Sequence, residues 1–207
     1  MRIPTRVTRL AALAATLAIS AFAMSGAPTA EASSALDCAG TAEHPFRAWL
    51  DPAAYVLAPG GSFEGRATSW ELAGGARLNA GNEPFKVHGS ADSSSLAIPA
   101  SGSALSPSFC VGIGHPTLRF FATGGNTTSP LKVEITYATL SGTITQQIAL
   151  IPAMRSWQAT PQQLILANLT GLSSLKGLTS TVKLRFSAPR GADWTIDDVY
   201  IDPWKVT

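Results

Sequence analysis

Val182-Lys-Leu-Arg-Phe-Ser-Ala-Pro-Arg-Gly-Ala-Asp-Trp-Thr-Ile-Asp-Asp-Val-Tyr-Ile-Asp-Pro203 holds two runs rich in β-branched and aromatic residues, separated by Pro189-Arg190-Gly191. Strand formers on either side of such a turn read as a β-hairpin. The second run, Trp194 to Ile201, carries two adjacent carboxylates, Asp197 and Asp198, in an otherwise apolar strand. Charges there cost free energy unless a counter-charge or a cation meets them. The segment therefore points to a β fold and to a candidate cation site. Strict alternation puts Asp197 and Asp198 on opposite faces, so only one of them is expected to reach a buried ion. The alternative is that both sit at solvated or edge positions, or pair with Arg185 or Arg190 across the hairpin.

Working outward, helical periodicity is nearly absent. Gln162 to Leu175 is the best helix candidate, but Gly171 interrupts it and it reads equally well as a strand and a loop. Strand-like runs recur. Thr68 to Leu72 and Ala76 to Leu78 flank Ala73-Gly74-Gly75, a hairpin signal. Thr117 to Ala122 is a compact apolar run. In Leu131 to Ala138, residues Leu131, Val133, Ile135 and Tyr137 alternate with Lys132, Glu134 and Thr136, the pattern of a strand with one wet face. Ser141-Gly142 turns it back into Thr143 to Ile151. With 18 Gly and 14 Pro cutting the chain into short strands, the expected fold is all-β: an antiparallel β-sandwich of the jelly-roll kind. Ala35 to Glu43 reads as a loosely structured lead-in.

The N-terminus speaks to compartment. Arg2, Arg6 and Arg9 precede the apolar stretch Leu10 to Ala23, and the small-residue patterns Ala21-Phe22-Ala23 and Ala30-Glu31-Ala32 follow. This is the layout of a secretory signal peptide over residues 1–32, too short in its apolar part for a membrane span. A single β-sandwich domain over 33–207, exported to the extracellular space, is the expectation. Cleavage after Ala32 removes three of 15 basic residues and one of 13 acidic ones, which leaves 12 of each. With no net charge and no basic patch, nucleic acid is a poor partner. No later segment is long and apolar enough to span a bilayer as a helix. The two cysteines, Cys38 and Cys110, are expected to form a disulfide in an oxidising compartment, with two free thiols as the alternative. Closing so long a loop would contribute about 4 kcal/mol in the chain-entropy model.

Two pieces carry a resemblance. Gly60-Gly61-Ser62-Phe63-Glu64, followed by Trp70, is similar to the opening of galactose-binding-like jelly rolls, the sandwich of many carbohydrate-binding modules. Trp194-Thr195-Ile196-Asp197-Asp198-Val199-Tyr200 resembles their closing strand. The resemblance implies that first and last strands lie close together. It also implies a structural calcium held by the opening Glu64 and a closing carboxylate, Asp197 or Asp198, with backbone carbonyls completing the shell. Gly81 to Phe85, His115 to Phe121 and the IDDVYIDP ending also resemble a set of uncharacterised secreted actinobacterial proteins, which brings no activity with it.

Catalytic signals are few. Asn82-Glu83-Pro84 matches a triplet that carries the acid/base carboxylate in many (β/α)₈-barrel glycosidases, but this chain has neither the length nor the helices of a barrel. No second carboxylate has a spacing that would pair with Glu83, so a turn fixed by Pro84 is the better reading. His44, His88 and His115 are scattered, and no zinc-protease, nucleophile-elbow or phosphate-loop motif occurs. The expected function is a secreted, non-catalytic binding domain, with polysaccharide or cell-wall glycan as the preferred ligand. A structural or adhesive cell-surface protein is the alternative, and a small jelly-roll hydrolase ranks third. Sugars stack on exposed aromatic rings. Trp70 and Trp194 sit in motif strands and are expected to be core, which leaves Trp49, Trp157 and Trp204 as ligand-binding candidates.

Overall fold

Thr117-Leu-Arg-Phe-Phe-Ala-Thr-Gly124 and the closing Trp194–Ile201 run lie side by side at the centre of an eight-stranded antiparallel sheet. The computed structural model describes residues 40–65, 68–112, 117–139, 141–165 and 179–202. Among them are fourteen strands: β1 (Ala42–Glu43), β2 (Tyr55–Leu57), β3 (Glu71–Ala73), β4 (Arg77–Ala80), β5 (Ser94–Ile98), β6 (Ser103–Leu105), β7 (Phe109–Gly112), β8 (Thr117–Gly124), β9 (Leu131–Thr139), β10 (Gly142–Ile151), β11 (Met154–Ala159), β12 (Gln163–Leu164), β13 (Thr179–Ser187) and β14 (Trp194–Ile201). No helix among the described residues is long and apolar enough to cross a membrane. The signal-peptide segment, Cys38, His115, Trp204 and most of the Gln162–Leu175 helix candidate lie outside the described residues; the described Gln163–Leu164 is strand.

Strands β1, β2, β4, β5, β8, β11, β12 and β14 form the first sheet, and β3, β6, β7, β9, β10 and β13 form the second, six-stranded one. All pairings are antiparallel. From β3 onward the chain passes from one sheet to the other after every one or two strands, the wrapped path of a jelly-roll sandwich. The faces turned inward carry the main core, including Phe63, Trp70, Leu96, Ile98, Leu118, Phe120, Leu184, Phe186, Trp194 and Ile196. The β9–β10 hairpin forms as its alternation predicts, with Leu131, Val133, Ile135 and Tyr137 buried.

Two expected hairpins do not form. Pro189-Arg190-Gly191 links β13 to β14, yet β13 pairs with β6, β7 and β9 in one sheet and β14 with β2, β5 and β8 in the other. The turn at Gly74-Gly75 likewise carries the chain from β3 to β4 in the opposite sheet. Each turn is a corner of the sandwich. Both faces of the closing segment are occupied as a result, because β14 sits inside a sheet whose outer side is also covered. A strap over 44–53, with a 3-10 turn at Arg47–Trp49, lays Phe46 on that outer side, where it packs with Tyr55, Phe121 and Tyr200 in a second core. The lead-in is therefore structured from Ala42 onward, where β1 pairs with β2.

The opening and closing motifs do meet. β2 pairs with β14 at Leu57↔Tyr200 and Val56↔Ile201. Beyond it, the Ala58 amide donates to the Val199 carbonyl (2.8 Å) and the Val199 amide to the Gly61 carbonyl (3.0 Å). At the other end of β14, Gly125 (φ +76°) lets the chain pass beneath the Trp194 ring: an added Cβ would lie 2.3 Å from that ring. A Gly125→Ala variant is expected to lose roughly 1–3 kcal/mol through overpacking and left-handed strain. The loss should read as a lower urea midpoint with an unchanged m-value.

Candidate functional site

β14 has a fork on one edge. Its first half pairs with β5 through Trp194, Thr195 and Ile196, and its last two residues pair with β2. Between them the register against β8 slips: Asp197 faces Phe121 and Tyr200 faces Arg119, so three steps on β14 match two on β8. This is a β-bulge. Asp198 occupies it in the left-handed region (φ 46°), which Asp tolerates better than most residues. The bulge breaks the alternation assumed from sequence. Both carboxylates turn toward the same loop, the connection 81–93 between β4 and β5, and both residues are fully buried. Neither pairs with an arginine, since Arg185 lies in the opposite sheet and the described ion pairs do not include Arg190.

That loop is built around a third buried carboxylate. Glu83 accepts hydrogen bonds from the amides of Phe85 and Val87 (2.7 Å for Val87), and its own amide donates to Asp197 Oδ2 (3.1 Å). The Asn-Glu-Pro triplet is thus a turn, with Glu83 organising backbone. Asp197 Oδ1 accepts from the Asp198 amide (2.9 Å). Asp92, nearly buried, meets His88 Nδ1 at 2.8 Å. Four carboxylates therefore share one nest with a single imidazole. Burial, with the charge of Asp198 next, pushes the Asp197 carboxyl up to about 9. Burial and then Glu83 push Asp198 up to about 7, which the His88 ring and amide partly oppose. Burial works against a charged His88, but the hydrogen bond and charge of Asp92 outweigh it and raise its pKa.

The residues proposed from sequence as cation ligands are distributed unevenly. Asp197 and Asp198 come together in the nest. Glu64 does not join the group His88, Asp92 and Asp198, whose ligand atoms lie within 4.8 Å of one another. Its Oε1 instead accepts from the amides of Ser93 and Ser94 (2.8 Å each), pinning the start of β5. Sequence reasoning left His88 and Asp92 unassigned. Their i, i+4 spacing in a polar loop looks like ordinary solvated surface until the loop is seen folded onto the bulge.

The aromatic candidates separate as well. Trp70 and Trp194 are core. Trp157, on β11, is half-buried against the outer-face cluster. Trp49 stands at the rim of the strap as the wall between two clefts. One, of about 650 Å³, is lined by His44, Pro45, Ala48, Trp49, Phe85 and Val87. The other, of about 300 Å³, is lined by Trp49, Leu50, Asp51, Pro52, Arg119 and Gln162. The Phe85 ring meets Trp49 edge-on, with centroids 4.8 Å apart, and is nearly half exposed. On the polar side, Arg119 reaches Asp51 at 2.6 Å, and Gln162 donates to Asp51 (3.1 Å) and to the Tyr55 hydroxyl (3.0 Å) while remaining exposed. Cys110 lies on β7 opposite Thr181, and its expected partner Cys38 is outside the described residues.

No family model matches the chain, and no curated protein matches it. Among solved structures it is similar to the CBM22-1 xylan-binding domain of a Paenibacillus barcinonensis protein: 14% identity, TM-score 0.44, 70% of this chain and 91% of that one. It is also similar to TmCBM61, solved in complex with β-1,4-galactotriose: 15% identity, TM-score 0.40, 70% of this chain and 95% of that one. A third is a Clostridium thermocellum endo-1,4-β-D-xylanase fragment containing CBM22-1 and GH10 modules: 16% identity, TM-score 0.46, 66% of this chain. The present chain spans only 26% of that fragment's length. The likeness is one of strand layout, and no residue role is carried over from it.

Proposed function

We propose that this protein is a non-catalytic glycan-binding β-sandwich whose ligand lies across Trp49. The observation that carries the reading is the pairing of surfaces at that one residue. An aromatic cleft walled by Trp49 and Phe85 adjoins a polar cleft that presents Gln162, Asp51 and Arg119. A pyranose ring has the same two-sided character, with an apolar C–H face for stacking and an equatorial rim of hydroxyls for hydrogen bonds. The rings are held by the second core. Trp49 packs on Phe46 and Phe121, with centroid separations of 6.4 and 5.1 Å, so little side-chain entropy would be lost on binding.

The test is affinity electrophoresis and titration calorimetry against a panel of soluble β-glucans, xylans, mannans and galactans. At least one is expected to bind, and Phe85→Ala should weaken that binding roughly tenfold, as loss of an aromatic anchor does. Trp49→Ala should weaken it further. Because Trp49 also packs on Phe46, Gln162→Ala, an exposed side chain, serves as the variant that leaves folding intact. No binding to any polysaccharide would overturn the reading. One observation favours a protein ligand instead: Leu50, at the edge of the polar cleft, is 95% exposed. A Leu50→Ser variant that leaves glycan binding unchanged would separate the two.

A further inference from the structure

The nest at the fork of β14 contains one buried carboxylate that completes no hydrogen bond among the described residues. Among the described residues, neither oxygen of Asp198 has a partner at full hydrogen-bonding geometry; the His88 amide points its charge at the carboxylate without closing a bond, and the residue has no exposed surface. The neighbouring carboxylates are differently placed. Glu83 spends both oxygens on loop amides, and Asp197 spends its own on the amides of Glu83 and Asp198. Lys86, the one lysine of this loop, turns its ammonium to the Ser90 carbonyl at 3.0 Å. What does approach Asp198 is the pair His88–Asp92, joined at 2.8 Å, and the ligand atoms of all three residues lie within 4.8 Å of one another.

We propose that His88, Asp92 and Asp198 form a binding site for a divalent first-row transition ion, with zinc the best match. The donor chemistry decides the class. Calcium takes six to eight oxygens and no nitrogen, and Glu64, which an oxygen-only site would recruit, holds the amides of Ser93 and Ser94. One imidazole with two carboxylates is instead a donor set for borderline ions. Zinc sits about 2.0–2.2 Å from such donors, so the three side chains must close slightly around it. His88 is the partly exposed member and can move, while Asp92 and Asp198 supply the buried floor. Asp197 and Glu83 act behind them: by fixing the Asp198 amide and the loop amides they orient the ligands without giving up an oxygen. Bound there, the ion would tie the 81–93 loop to the bulge of β14. The site stands on these contacts whether or not the neighbouring cleft takes a sugar.

The experiment uses the full chain, without a histidine tag, stripped with chelator and then titrated with zinc, cobalt, manganese or calcium. A ligand that binds only the folded state must raise the melting midpoint in proportion to the logarithm of its concentration. Zinc is expected to raise the midpoint with a calorimetric stoichiometry near one, and cobalt to give a visible ligand-field spectrum. Asp198→Asn should abolish both signals. Asn also tolerates the left-handed backbone and removes the unpaired charge, so this variant should melt no lower than the metal-free wild type, which separates lost binding from lost folding. His88→Ala should abolish the zinc response too. Three results would overturn the proposal: no shift with any transition ion, a calcium shift that survives His88→Ala, or a zinc shift unchanged in Asp198→Asn.

Discussion

Trp194→Ala is expected to remove about 3–5 kcal/mol of stability, the range for truncating a large buried aromatic. For a domain whose whole margin is roughly 5–15 kcal/mol, that is enough to leave much of the protein unfolded at moderate temperature. The indole is 1% exposed and opens β14, the strand that pairs with β8 along one edge and with β5 and β2 along the other. Its ring packs in the core between the sheets, and its Nε1–H donates to the Ser129 carbonyl at 3.3 Å. Alanine leaves a cavity and an orphaned carbonyl together, and the close passage of Gly125 beneath the ring gives the cavity no side chain to collapse into. Urea denaturation followed by far-ultraviolet circular dichroism measures the loss. Trp194→Phe keeps most of the volume and should lose less than half as much. A loss under about 1 kcal/mol for alanine would mean that the site repacks, contrary to the rigid corner described here.

Local alternation made the β9–β10 hairpin legible, because a strand with one wet face writes its burial into every second residue. The class of the fold was legible from short strands cut by Gly and Pro turns, while the meeting of the Gly60–Glu64 segment with the closing strand was implied only by the resemblance to galactose-binding-like jelly rolls. The sheet to which a strand belongs was harder to read. Pro189-Arg190-Gly191 is as good a corner between layers as it is a hairpin turn, and the residues of β13 and β14 do not record which neighbour they pair with. The site suffered from a similar ambiguity at finer scale. Alternation separated Asp197 from Asp198, and a single left-handed residue reunited them. That the bulged residue is an aspartate, one of the few side chains tolerant of this conformation, was the available signal. Glu83, His88 and Asp92 gave none, since acidic and imidazole groups in a polar loop are ordinarily solvated. Glu83 and Asp92 are buried, and His88 is drawn against Asp92, because Glu83 gathers the loop's amides and folds it onto the bulge of β14. Phe46 was missed for a related reason: it precedes the first long strand and covers a face that the alternating pattern of a sandwich leaves to solvent.

That outer face holds the second large expected effect. Arg119→Met should cost about 3–5 kcal/mol, because it removes one partner of a buried ion pair and leaves the other uncompensated. Arg119 and Asp51 are both largely buried; the guanidinium donates to Asp51 Oδ2 at 2.6 Å and to the Thr160 carbonyl at 2.7 Å, and lies 4.6 Å over the Phe46 ring. Burial alone would raise the Asp51 carboxyl. Hydrogen bonds from Tyr55, Arg119 and the Ala53 amide, with the Arg119 charge, outweigh it and hold the group below its ordinary value. Burial, and then Asp51, push the Tyr55 hydroxyl up to about 12, so it stays a donor at every ordinary pH. A carboxyl lowered on folding contributes stability that is present above the unfolded carboxylate pKa, about 3.9. That contribution fades as pH falls through the folded value. The difference in melting midpoint between wild type and Arg119→Met should therefore be full at pH 7 and shrink below about pH 4. Asp51→Asn in the Arg119→Met background should recover part of the loss, since an amide left without the cation is less costly than a carboxylate. A difference that stays constant from pH 7 to pH 3, with no recovery in the double variant, would assign the effect to packing over Phe46 and away from the ion pair.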